Sequence, residues 1–179
     1  MSNYSKERID AKFLNKSNYV GVDSLLQNKQ GKTDSTCVPK SGKWIKYEKG
    51  NVLLGNIRPY LRKIWFANID GGTNGDVLVI QPNDIVFSKY LYYILSSDRF
   101  FEYDNSYSKG AKMPRGDKNA IMNYEFMLPT LQEQERIVNI LDKYDKLCND
   151  IKEGLPAEIE KRQRQYEYYR DKLLSFKES

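Results

Sequence analysis

Leu128-Pro129-Thr130-Leu131-Gln132-Glu133-Gln134-Glu135-Arg136-Ile137-Val138-Asn139-Ile140-Leu141-Asp142 is the stretch on which the architecture turns. On its N-terminal side, 124–128 has the alternation of a strand, and Pro129, with no N–H to give a ladder, stops it. On its C-terminal side apolar residues recur near a 3.6-residue period and mark an amphipathic helix. The joint divides the 179 residues into a globular part, 1–129, and a helical region, 130–179. The predicted class is α+β: a mixed α/β domain on a twisted β-sheet, followed by a long helical arm that forms a coiled coil.

Downstream of the joint, Val138, Leu141, Cys148, Leu155, Ile159, Tyr166, Tyr169 and Leu173 fall on steps of three, four or multiples of seven. That is a heptad seam and the candidate dimerisation surface. Gln134, Asp145, Lys152 and Arg162 interrupt it with polar groups. Pro156 is well tolerated only in a first turn, so Gly154-Leu155-Pro156 breaks the arm into helices at about 131–152 and 156–176. Tyr166, Tyr169 and Leu173 serve the seam. Tyr168 and Phe176 are left for a second protein surface, or else the aromatics form one broad packed face.

Upstream, four β candidates are rich in aromatic and branched residues: 44–47, 51–54, 63–67 and 76–81. A Lys49-Gly50 turn joins the first pair, and Asn68-Ile69-Asp70-Gly71-Gly72-Thr73-Asn74-Gly75 reads as a hairpin connection between the second pair. Residues 19–22 suit a short strand, and 27–35 an exposed loop. Val86, Tyr90, Tyr93 and Ile94 have helical spacing, and 98–104 suits a second short helix.

Composition narrows the function. Apolar residues make up 40% and charged residues 30% of the chain, as in a folded domain. The N-terminal Met1–Arg8 segment has no signal-peptide core and no run is long enough to span a bilayer, so a cytoplasmic protein is expected. Histidine is absent, which removes the commonest general base and zinc ligand. Cys37 and Cys148 stand outside any metal-ligand spacing. No phosphate-cradling glycine loop, amino-methyltransferase dipeptide or metal-nuclease pattern is found. Asp70–Asp76 lacks the spacing and closing Glu of a calcium loop. The chain is expected to do no chemistry and to hold no metal or cofactor of its own.

The net charge of +5 is uneven: residues 130–179 hold 10 Lys+Arg and 11 Asp+Glu, leaving 19 and 13 in the globular part. Two basic segments there are candidate DNA contacts. In 108–118, Lys109, Lys112, Arg115 and Lys118 recur at threes over a glycine-opened backbone, which suits phosphate contact, and Arg115 suits a guanine edge. In 56–63, Arg58, Tyr60, Arg62 and Lys63 combine cations with a stacking surface. The bland alternatives are a solvated lysine loop and a tyrosine covering a sheet edge. Lys40, Lys43, Lys46 and Lys49 read as guards of an edge strand.

The joint, with 50–60 (Gly-Asn-Val-Leu-Leu-Gly-Asn-Ile-Arg-Pro-Tyr), Asp76-Val77-Leu78-Val79, the loop 109–117 and the tail 164–176, resembles the DNA-specificity subunit of type I restriction-modification systems over nearly the whole chain. The resemblance implies a target-recognition domain at 1–129 and a helical spacer at 130–179 that pairs as an antiparallel coiled coil. It implies double-stranded DNA as ligand and methyltransferase subunits, which carry S-adenosylmethionine, as partners. A restriction/translocase subunit is a further possible partner. Family members typically carry two recognition domains and two spacers, whereas this chain has one of each and is of half length. A two-fold homodimer would restore the pair and read a split site. A natural half-subunit, a shuffling cassette and a fragment all remain open, as do a standalone dimeric DNA-binding protein (a repressor or methyltransferase decoy) and a coiled-coil adaptor.

Overall fold

The protein is described from a computed structural model, which covers residues 2–146 and 164–165. The chain divides into two compact units, 1–138 and 139–179. The first contains two four-stranded sheets. Sheet I has the order β1 (Ser2–Tyr4), β8 (Val77–Pro82), β5 (Val52–Gly55), β6 (Ile64–Phe66), antiparallel throughout. Sheet II has the order β2 (Arg8–Asp10), β4 (Lys43–Tyr47), β7 (Gly71–Thr73), β3 (Tyr19–Val20), with β3 and β7 parallel.

Sheet I is buried on both faces. Val52, Leu54, Ile64, Leu78 and Ile80 point to one side, into a core shared with Leu91, Leu95, Phe100, Phe101 and Ile121. Those residues come from α1 (Ser88–Leu95), α2 (Asp98–Tyr107) and α3 (Lys118–Met122). On the other side Leu53, Trp65, Val77 and Val79 meet Val20, Leu25 and Tyr47. Double burial explains why β5 and β8 are unbroken apolar runs without the alternation of a half-exposed strand. Each side chain withdrawn from water contributes roughly 1.5–3 kcal/mol before entropy is counted. Side-chain caps start two of the helices: Ser97 accepts from the Phe100 N–H, and Asp117 from those of Asn119 and Ala120.

Several expectations change. One twisted sheet becomes two. Strands 63–67 and 76–81 were expected as a hairpin, but both β6 and β8 pair with the central β5. The connection between them contributes β7 to sheet II, because Gly71 and Gly72 are bare enough for that strand to pass where no side chain fits. Likewise β4 and β5 are not a hairpin: the turn at Gly50, with φ +91, carries the chain from sheet II to sheet I. The expected strand at 124–128 is extended but unpaired. Its alternation is real, since Tyr124, Phe126 and Leu128 pack on the helical core, but the Met127 carbonyl accepts from Tyr90 Oη at 2.9 Å instead of from a ladder. Strands β1 and β2 and helix α3 were not expected.

After Pro129 the chain is helical from 131 to 146, where its description stops (α4). Val138, expected on the dimer seam, is buried within the first unit at 3% exposure, so the globular body already uses it. Leu141 is half-buried. Cys148, Leu155, Ile159, Tyr166, Tyr168, Tyr169, Leu173 and Phe176 lie outside the described residues, as does the coiled coil they were expected to build.

Candidate nucleic-acid interface

The two basic segments, about 50 residues apart in sequence, form one surface. Residues 109–115 close into a tight loop, with Lys109 and Arg115 exchanging both backbone hydrogen bonds at 2.9 Å. Gly110, with φ +105, permits the turn. The loop is then stitched to the segment after β5. Arg58 N–H donates to the Pro114 carbonyl at 2.7 Å, and Gly116 N–H to the Asn56 carbonyl at 3.1 Å.

The partner segment is held in an unusual form. Arg58 and Arg62 both occupy the left-handed region, φ 53 and 52, on either side of a 3-10 turn at Pro59–Leu61. Each such non-glycine residue costs about 1–2 kcal/mol. Loop 27–30 helps hold the turn: Asn28 N–H donates to the Leu61 carbonyl and Lys29 N–H to that of Arg62. Strain retained at a surface turn points to a geometry that is needed.

The side chains sort into two groups. Arg58, Tyr60, Lys112 and Met113 are exposed, and among the described residues neither Arg58 nor Lys112 has a carboxylate partner. Lys109 is exposed and reaches Asp117 at 2.6 Å. Arg115 Nη2 lies 3.0 Å from Asp76 Oδ1, with more than half of the arginine side chain still exposed. Lys118 is exposed at the start of α3. Asp117 is held below its ordinary carboxylate range, first by the Lys109 hydrogen bond and then by the α3 backbone amides. Arg62 and Lys63, by contrast, are half-buried and tied to neighbouring elements. Arg62 Nη1 and Lys29 Nζ share Asp98 Oδ1 at 2.8 and 3.1 Å. Lys63 Nζ donates to the Val22 carbonyl at 2.6 Å, and burial lowers its pKa.

Two participants escaped the sequence. Asp76, read there within a turn, is the carboxylate that orients Arg115. Asn56 lies beneath the loop, and among the described residues its buried Oδ1 has no hydrogen-bond partner, like that of Asp104. Both oxygens face Gly116, where a Cβ would lie 3.0 Å from Asn56 Oδ1 and 2.5 Å from Asp104 Oδ1. A glycine is therefore required at the base of the loop. Among the described residues no group of three or more acidic, cysteine or histidine side chains could hold a metal.

The two stitched segments thus carry an oriented guanidinium at Arg115, exposed Arg58 and Lys112 without carboxylate partners among the described residues, and an exposed Tyr60. The family model for the type I restriction modification DNA specificity domain matches residues 4–161. The chain belongs to this family. Its relatives include the Escherichia coli type I restriction enzyme EcoR124I/EcoR124II specificity subunit, 41% identical over 103 residues, covering 58% of this chain and 26% of that protein. A putative type I specificity subunit of Mycoplasma pneumoniae is 41% identical over 128 residues, covering 71% of this chain and 52% of that one. The crystal structure of the HsdS subunit from Thermoanaerobacter tengcongensis shares the fold, with a TM-score of 0.67 at 22% identity, over 92% of this chain and 44% of that one. The chain thus spans from a quarter to about half of these relatives' lengths. Among the described residues no helix is long and apolar enough to cross a membrane.

Proposed function

We propose that this chain is the non-catalytic DNA reader that directs the methylation, and the cleavage, of a type I restriction-modification complex to a split site. The observation that carries the reading is the stitched pair of loops, which brings Arg58, Tyr60, Lys109, Lys112 and Arg115 together in a specificity-family domain, with Lys118 exposed at the start of α3. Arg115, oriented by Asp76, addresses a base edge, while the lysines and Arg58 address phosphates. Arg62 and Lys63 support the loop from within. Methyltransferase subunits carrying S-adenosylmethionine, and a restriction/translocase subunit, are the partners, in the cytoplasm. Two copies pair through the helical region using Leu141, Cys148, Leu155, Ile159, Tyr166, Tyr169 and Leu173, while Tyr168 and Phe176 meet the methyltransferase.

Arg115→Ala is expected to weaken specific binding by about 10- to 100-fold, the worth of one good bidentate base contact. Lys112→Ala should cost a few-fold on every sequence and reduce the logarithmic salt slope by about 0.9. Lys143→Ala, on the helix, should change neither. Fluorescence anisotropy at several salt concentrations measures all three, and equal losses would remove the loop from the interface.

Mapping methylated adenines in cells carrying this chain and its methyltransferase subunit tests the whole reading. Two identical readers related by a two-fold axis see identical half-sites in opposite orientation, so the map should show an interrupted inverted repeat. A split but non-palindromic site would replace the homodimer by a pairing with a different reader. An unchanged methylation pattern would refute the specificity role.

A further inference from the structure

Gln134 lies in the first turn of α4 and has no exposed surface at all (0%). Its carboxamide makes three hydrogen bonds, all to backbone. Oε1 accepts from the Phe87 N–H at 2.8 Å. Nε2 donates to the Ile85 carbonyl at 3.1 Å and to the Pro129 carbonyl at 2.9 Å. Phe87 is the N-cap residue of α1 and has no polar side chain to cap with, so Gln134 joins the start of α1 to the start of α4. Two further contacts bracket the same joint: Tyr90 Oη donates to the Met127 carbonyl on one side, and Val138 is buried on the other.

The sequence places Gln134 as a polar interruption of an apolar stripe. A leucine there would fill a similar volume and bury more carbon, but it would take the partner from three backbone groups in partly buried hydrogen bonds. Three directional bonds to two different segments fix the rotation and tilt of the helix start, which an apolar contact does not. The price of burying an amide is thus met by geometry.

We propose that Gln134 is a positioning residue: it sets the direction in which the helix leaves the recognition domain, and so the separation of half-sites that a paired assembly accepts. This rests on the DNA-reading role above. The specificity of the base contacts belongs to the loop surface, whereas the spacing belongs to this amide.

The test uses the full chain and two sets of duplexes taken from the methylated site: one with a single half-site, and one with two half-sites whose spacer varies one base pair at a time. The wild-type protein should prefer its best spacer about tenfold over neighbours one base pair away, a difference of about 1.4 kcal/mol. Gln134→Leu should reduce that preference to within about threefold while keeping single half-site affinity within about twofold. Gln134→Glu, which keeps the acceptor for Phe87 and loses both donors, should fall between. Should the leucine variant not fold, Gln134→Glu still carries the comparison. Amide exchange in the wild type adds a measurement without substitution: the Phe87 N–H should be as protected as the α1 interior, and fast exchange there overturns the clamp. Variants that retain the full spacer preference overturn the proposal alone. A wild-type chain that binds no half-site overturns the DNA-reading role and this proposal with it.

Discussion

Gly71→Ala is expected to destabilise the protein by roughly 4 kcal/mol, combining overpacking with a stranded buried hydroxyl. A Cβ at Gly71 would lie 2.0 Å from the Asn18 carbonyl and 2.5 Å from Tyr47 Oη. That carbonyl cannot retreat freely, because it accepts from Tyr47 Oη at 2.9 Å and from Gly72 N–H at 3.0 Å. Moving it breaks both bonds, opens the parallel pairing of β3 with β7, and leaves the fully buried Tyr47 without a partner. The matched control is Gly75→Ala, where a Cβ meets nothing within 4 Å. Urea denaturation of both variants compares them directly. A Gly71→Ala protein within about 1 kcal/mol of its Gly75→Ala counterpart would show that β7 does not run through sheet II as described.

Asp104→Asn should act in the opposite direction and stabilise the protein above neutral pH. Asp104 is 1% exposed, its Oδ1 has no partner, and burial raises its pKa from the ordinary 3.8 to about 6. Asn56 Oδ1 and the Gly116 backbone share its corner, and Tyr4, whose own pKa is raised mainly by burial and then by Asp104, lies near. A folded pKa above the unfolded value means that the favourable state is the protonated one. Its contribution is fully present below pH 3.8 and is lost as the pH rises to about 6. The loss over that window is of order 3 kcal/mol. An asparagine carries no charge and brings an N–H donor to a corner where Asn56 Oδ1 is bare. The variant should therefore gain about 2–3 kcal/mol at pH 8 and almost nothing at pH 4. Denaturation midpoints at the two pH values decide it, and a gain independent of pH would assign the effect to packing.

The parts legible in sequence are those whose signal is local. Val52–Leu54 and Val77–Ile80 announce strands by composition, and helical spacing finds α1 and its buried Tyr90, although Val86 precedes the helix, Tyr93 and Ile94 are half-buried, and Leu91 and Leu95 complete the buried side. The loop at 109–117 is readable from its glycines and cations. The rest depends on partners distant in the chain. Strands β1 and β2, Ser-Asn-Tyr and Arg-Ile-Asp, are three residues each, with no apolar run to betray them. Gly71-Gly72-Thr73 has the look of a turn because the residues that crowd it, Asn18, Tyr47, Ile9 and Leu14, are elsewhere in sequence. Alternation at 124–128 reports which side chains are buried but not whether a neighbouring strand is available. At the candidate interface, residue types single out six outward-facing positions. No spacing rule could bring Asp76 to Arg115, or distinguish an Arg62 that braces α2 from an Arg58 that faces solvent.

The four bonds that close the 109–115 loop and seat it on the 56–58 segment are all main chain to main chain. The frame is therefore indifferent to spelling. On the proposed role, exchanging the side chains at 60, 112, 113 or 115 would rewrite what the surface says to its ligand without unfastening the page on which it is written.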